Sequence, residues 1–200
     1  TGLSIIELSN ILKKQKPDLV VAVADRYENL SIAISASYMN IPLAHVQGGE
    51  TTGSIDEKVR HAITKLSDAH FVSTKRSKKF VINMGEMKSS VYHTGCPSID
   101  LALLKDYSLE KNFFKKHGTG ANFLSSEKYI LVLQHPVTTE YKEANFQIDQ
   151  TIEAVEKIHS KTKYKVIWLW PNIDAGSDIF SKKIRFLKEK KTNYIRFVKN

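Results

Sequence analysis

The chain has 200 residues, 42% of them hydrophobic, which is enough to bury a core in one large domain or two small ones and excludes a disordered chain. It shows no apolar run of membrane-spanning length and no basic-then-apolar leader, and its one cysteine, Cys96, leaves no internal disulfide or multi-thiolate metal site, so the expected location is cytoplasmic. The net charge of +9 is spread through both parts of the chain, and its clusters, Lys75-Arg76-Ser77-Lys78-Lys79 and Lys182-Lys183 through Lys190-Lys191, read as solvated helix faces. No nucleic-acid-binding signature accompanies them, which leaves a basic binding module as the rival class.

Leu3, Ile6, Leu8, Ile11 and Leu12 recur at helical spacing, and Leu19-Val20-Val21-Ala22-Val23-Ala24 follows as a continuous apolar run. Such a run predicts a parallel strand buried on both faces. Leu30, Ala33, Ile34 and Tyr38 mark a second helix up to the turn at Asn40-Ile41-Pro42. Leu43-Ala44-His45-Val46 is a short strand, and after a glycine loop a helix runs from about Asp56 to Leu66. Ala69-His70-Phe71-Val72 is the next strand, Lys75 to Met84 the next helix, and Val91-Tyr92-His93-Thr94 a further strand. Gly95-Cys96-Pro97-Ser98 turns into a helix over Ile99 to Leu104, where proline suits a first turn.

From about Asp106 to Lys128 the pattern loosens, with Lys115 to Gly120 as the best turn signal. A domain junction is expected there. Tyr129-Ile130-Leu131-Val132-Leu133 opens a second unit; Ile148, Ile152, Val155 and Ile158 share a helix face, and Lys165 to Trp170 is the following strand. Strands alternating with helices predict an α/β fold built on Rossmann-like units with parallel sheets. The chain opens on Thr1 rather than Met and closes just after the strand-like run Tyr194 to Val198. A fragment of a longer protein is the expectation.

Open parallel sheets bind ligands beyond the carboxyl ends of their strands. Asp25-Arg26, Gln47 to Asp56, Gln134-His135-Pro136 and Pro171-Asn172-Ile173-Asp174 all lie at such ends. Each has an ordinary explanation taken singly. Asp25 suits a helix cap. Asp56 with Arg60 and Glu57 with His61 are i,i+4 pairs, and Asp56 and Glu57 sit where a helix dipole favours carboxylates. Gly48, Gly49 and Gly53 permit positive φ or close backbone approach, but their spacing matches neither a dinucleotide fingerprint nor a phosphate loop. The histidines form no metal-binding pair, so no catalytic metal is expected. The loop is expected to bring His45, Gln47, Glu50 and Asp56 toward one ligand, with Arg60 and His61 in support.

Five segments occur in one order: Asp25-Arg26-Tyr27-Glu28; Ile41 to Glu50; Ile55 to Leu66; Gln134-His135-Pro136-Val137-Thr138-Thr139-Glu140; and Pro171-Asn172-Ile173-Asp174-Ala175-Gly176-Ser177. Together they closely resemble the hydrolysing UDP-N-acetylglucosamine 2-epimerases of sialic acid synthesis and their relatives acting on UDP-diacetylbacillosamine. The resemblance implies a GT-B-like fold of two Rossmann-like domains. By it, residues 1–107 are part of the N-terminal domain, and 108–200 are a linker and the first part of the C-terminal, nucleotide-binding domain.

The implied chemistry removes the C2 proton of the sugar, expels UDP to leave a 2-acetamidoglucal, and adds water with inversion at C2. Carboxylates on two sides of the sugar suit that task. By the resemblance, Asp25 and Asp56 are acid/base candidates with Glu57 beside the latter, His135 contacts the nucleotide diphosphate, and Arg26 and Asn172 are substrate contacts. Several relatives carry glutamate where this chain has Gln47, which cannot exchange a proton. Either Asp25, Asp56 and Glu57 suffice with Gln47 hydrogen-bonding, or Glu50 takes over, or the substrate differs. The resemblance further implies a UDP-sugar as partner, a homo-oligomer at full length, and no cofactor, membrane or nucleic acid. The nearest rival is a non-hydrolysing 2-epimerase, with a GT-B glycosyltransferase ranked behind it.

Overall fold

The computed structural model describes residues 1–105, 108–172, 176–190 and 192–199. The expected junction at residue 107 and the Ile173-Asp174-Ala175 part of the last motif lie outside them. The chain divides into two compact units, Thr1–Lys105 and Asp106–Asn200.

The first unit runs α1 (Gly2–Gln15), β1 (Val20–Val23), α2 (Tyr27–Tyr38), β2 (Leu43–Val46), α3 (Ile55–Leu66), β3 (Ala69–Val72), α4 (Lys75–Asn83), β4 (Val91–His93) and α5 (Pro97–Leu104). Its sheet has the order β1-β2-β3-β4, all parallel, with Val20 opposite Leu43, Ala44 opposite Ala69 and His70 opposite Val91. A monotonic order with right-handed crossovers puts the connecting helices on one face. The core agrees: Leu12, Val20, Ala22, Ala33, Ala36, Leu43 and Ile63 pack together, and Val72, Val81 and Val91 form a neighbouring cluster. This corrects the reading of β1 as buried on both faces. Val20 and Ala22 point into the core, whereas Val21 and Val23 remain 53% and 50% exposed.

The second unit runs α6 (Phe113–Lys116), β5 (Thr119–Gly120), β6 (Tyr129–Val132), α7 (Ala144–Thr162), β7 (Lys165–Leu169), α8 (Ser177–Glu189) and β8 (Ile195–Val198). The sheet order is β5-β8-β7-β6, parallel except for the short β5 at its edge. Helices α7 and α8 close its main core through Ile148, Val155, Phe180, Ile184 and Leu187, packed on Val166, Trp168, Ile195 and Phe197.

The loosely patterned stretch before β6 is held by a small cluster in which Phe114, Ala121 and Phe123 pack with Ile167, and by one buried charged side chain. Arg196 in β8 is 5% exposed and donates to the carbonyls of Lys115, His117, Gly118, Gly120 and Ala121 and to Asn122 Oδ1. A buried guanidinium satisfied almost wholly by main chain fixes a segment that has little apolar periodicity of its own.

Candidate active site

In the first unit the strand tips end in unusual backbone. Ala24, just after β1, has φ 61° and Gln47, just after β2, has φ 65°. Non-glycine residues pay steric strain in the left-handed region, so surrounding contacts must hold them there. The Ala24 N–H donates to Val46 O at 2.9 Å and the Gln47 N–H to Phe71 O at 2.8 Å, each extending a strand ladder by one bond before the chain turns. The residues that follow, Asp25 and Gly48, therefore leave the sheet at fixed angles.

Gly48 and Gly49 are needed for different reasons. A Cβ on Gly48 would lie 2.8 Å from His45 Nδ1 and 3.0 Å from Thr64 Oγ1, while one on Gly49, at φ +79°, would lie 2.6 Å from the Ser77 carbonyl. Gly48 thus permits contact with α3, and Gly49 permits both a left-handed turn and contact with α4. Glu57 completes the clamp: its Oε2 accepts the N–H groups of Thr52 at 2.5 Å and Gly53 at 2.6 Å. These two amides hold its carboxyl below the usual glutamate range, with smaller help from His61 and Arg60.

Arg60 joins the two strand tips. It is 4% exposed; its Nη2 pairs with Asp25 Oδ2, and its Nη1 donates to Glu50 O at 2.5 Å. The sequence readings change in three places here. Asp25 is not a helix cap, since Arg26 holds the position before α2. Arg60 turns to Asp25 rather than to its helical neighbour Asp56. His45 does not face a ligand: it is fully buried, with Nε2 2.9 Å from Ala24 O and Nδ1 3.0 Å from Thr64 Oγ1. Burial pushes its pKa down to about 4 against the opposing pull of the Ala24 carbonyl.

Asp56 is exposed in the first turn of α3, with Ser54 Oγ donating to its Oδ2 at 3.3 Å. Glu50 lines a cavity of about 230 Å³ with Gly49, Thr51, Thr74, Arg76, Ser77 and Phe80. His61 forms the expected i,i+4 contact with Glu57, at 3.6 Å, and stacks on Phe80. Arg26 contacts Glu28 at 3.3 Å.

Gln47 reaches a residue that sequence reasoning did not assign. Its Nε2 donates to Cys96 Sγ at 3.3 Å. Cys96 precedes α5, and its thiol pKa is lowered first by the N–H groups of Ile99 and Ser98, with a smaller contribution from Gln47. The only sequence signal for this contact was the turn Gly95-Cys96-Pro97, which places Cys96 at a strand's carboxyl end.

In the second unit, His135 follows β6 and Asn172 follows β7. The Asn172 N–H donates to His135 Nδ1 at 3.1 Å, so the neutral ring carries its proton on Nε2. Gln134 Oε1 and Thr138 Oγ1 beside it are buried and have no hydrogen-bond partner among the described residues. Among the described residues, no group of three or more His, Cys, Asp or Glu side chains is placed to hold a metal ion, and no helix is long and apolar enough to cross a membrane.

Parallel α/β sheets with polar residues gathered at their strand tips define a Rossmann-like class of ligand-binding protein. The model of the family described as UDP-N-acetylglucosamine 2-epimerase matches residues 1–200, and the chain belongs to that family. It is 34% identical over 184 residues to the UDP-N,N'-diacetylbacillosamine 2-epimerase (hydrolyzing) of Legionella pneumophila, covering 92% of this chain and 47% of that protein. It is 38% identical over 180 residues to polysialic acid biosynthesis protein P7 of Escherichia coli, covering 89% and 44%. The chain therefore spans about half the length of these relatives. The crystal structure of Neisseria meningitidis UDP-GlcNAc 2-epimerase bound to UDP-GlcNAc superposes with a TM-score of 0.76 at 21% identity, over 98% of this chain and 53% of that one. That likeness establishes the shared GT-B-type α/β fold.

Proposed function

We propose that the full-length protein containing this chain is a hydrolysing UDP-sugar 2-epimerase, converting UDP-N-acetylglucosamine or UDP-diacetylbacillosamine to UDP and the free 2-epimerised sugar. The observation that carries the reading is the placement of Asp25, through Arg60, beside the Gly48-Gly49-Glu50 loop, with Asp56 one helical turn before that arginine. The hydrolysing relative from Legionella adds support from sequence.

In this reading a carboxylate, Asp25 or Asp56, takes the C2 proton while the C1–O bond to UDP breaks, and the electron pair leaves with the diphosphate. Water then adds its oxygen to C1 of the 2-acetamidoglucal and releases one proton to solvent, while the other carboxyl, in its protonated form, delivers a proton to C2 from the opposite face and is left as the carboxylate. Arg26 and Asn172 serve as substrate contacts, and His135 is assigned to the diphosphate, whose developing charge needs hydrogen-bond donors. Gln47 orients rather than exchanges a proton, its amide being committed to Cys96. Glu57 holds the loop, because one of its oxygens is taken by two backbone amides. Glu50 remains the carboxylate able to take the proton-exchanging role that the Gln47 amide cannot. The reading includes a homo-oligomeric enzyme in the cytoplasm.

The test is to supply each UDP-sugar to the full-length protein and follow products by NMR. Release of UDP and a free 2-epimerised sugar is expected, abolished by Asp25→Asn or by Asp56→Asn with the fold intact. A product that remains a UDP-sugar identifies the non-hydrolysing isomerase and overturns the proposal.

A further inference from the structure

We infer that His45 is a positioning residue, a buried Nε2–H imidazole that holds the turn carrying Asp25 and seats the loop carrying Gln47 and Glu50. The inference rests on the reading of Asp25 as an acid/base group.

The ring's two contacts fix its tautomer. A carbonyl oxygen only accepts, so the 2.9 Å contact with Ala24 O requires the hydrogen on Nε2. In the neutral ring Nδ1 then carries a lone pair, and the Thr64 hydroxyl donates to it across 3.0 Å. The alternative partner of that hydroxyl, Arg60 O at 3.0 Å, is its own helical neighbour four residues back. Both His45 and Thr64 are fully buried, so water cannot substitute for either bond.

The Ala24 carbonyl is the oxygen of the peptide plane that leads into Asp25. Ala24 is held at φ 61°, and its two main-chain groups are both claimed, the N–H by Val46 O and the C=O by His45. With that plane fixed, the direction in which Asp25 leaves the backbone is fixed. Its carboxylate is gripped from the other side by Arg60, one turn before Thr64 on the same helix. A closed circuit results: Asp25, Arg60, Thr64, His45, Ala24 and back to Asp25. Gly48 lies against the same His45–Thr64 pair, where a Cβ would come within 2.8 Å of Nδ1. One buried ring therefore sets the register of both strand-tip segments relative to each other.

The test uses the full-length protein and two variants that divide the ring's functions. In His45→Gln the amide nitrogen takes the place of Nε2 and keeps a donor for Ala24 O; in His45→Asn it takes the place of Nδ1 and leaves that carbonyl bare. Misplacing a reacting group by about 1 Å costs about 100-fold in rate. His45→Asn is accordingly expected to lower kcat about 100-fold with KM within about threefold, and His45→Gln to restore most of kcat. Equal losses of kcat in both variants would overturn the positioning role. Long-range ¹⁵N–¹H spectra of the wild-type histidines need no turnover and are expected to show His45 as the Nε2–H tautomer at neutral pH. A Nδ1–H tautomer overturns the inference, whereas a wild-type protein with the Nε2–H form and no UDP release would overturn only the functional reading beneath it.

Discussion

Replacing Arg60 with Met keeps most of the buried stem and removes the guanidinium that links Asp25 to the Glu50 carbonyl. Two losses follow, of unequal size. Glu50 is exposed, so water can replace its lost donor at small cost. The side chain of Asp25 is only 24% exposed and that of Arg60 5%, which places the pair between a surface ion pair, at about 0–1 kcal/mol, and a buried one whose disruption costs about 3–5 kcal/mol. A coupling of about 2 kcal/mol is expected, or roughly thirtyfold in a local opening equilibrium. Both tryptophans lie in the second unit, so their fluorescence would not report this change. Hydrogen exchange of peptides covering residues 20–30 and 43–55 in the full-length protein would report it. The double-mutant cycle with Asp25→Asn isolates the pair. If the two substitutions add within about 0.5 kcal/mol, the pair is energetically idle and the brace assigned to Arg60 is refuted.

Gly49→Ala should destabilise the first unit by about 2–4 kcal/mol, since it combines positive-φ strain with a Cβ directed at the Ser77 backbone; wild-type-like hydrogen exchange around residues 47–53 would contradict this. Acid should destabilise the same unit. His45 has a folded pKa near 4 against 6.5 for the free side chain, so its stabilising effect is complete above pH 6.5 and is lost as pH falls toward 4, amounting to about 3 kcal/mol. His70, whose pKa is lowered by burial against the opposing charge of Glu86, acts in the same direction. Protection of β2 amides that stays flat from pH 7 to 4.5 would count against a neutral buried His45. Gln47→Glu replaces the amide donor at Cys96 with a carboxylate, and the alkylation rate of Cys96, read by mass spectrometry at pH 7.5, should fall severalfold; an unchanged rate would show that the Gln47–Cys96 contact is not formed in solution.

Local pattern revealed the elements with short, distinct signals. β2 and β3 lie on the expected residues, and α3 and α4 match within one residue at either end. Helix α8 was harder to place, because its lysines read only as a solvated face and its apolar positions, Phe180, Ile184 and Leu187, become a stripe only when seated on β7 and β8. The β5 edge was illegible for a related reason: its anchor, Arg196, is more than seventy residues away in sequence.

Periodicity and strand-end position by themselves determined that this is a parallel α/β protein with its polar groups clustered at strand tips, because a period of two or 3.6 and a break in apolar content are properties of neighbouring residues. The ordered motifs added the family. Tertiary structure decided what each group does there. Asp25 and Arg60, thirty-five residues apart, meet only after β1 and β2 pair and α3 packs back. His45, chemically equal to any other histidine in the sequence, becomes a neutral internal brace because folding removes it from water and places a carbonyl and a hydroxyl on its two nitrogens.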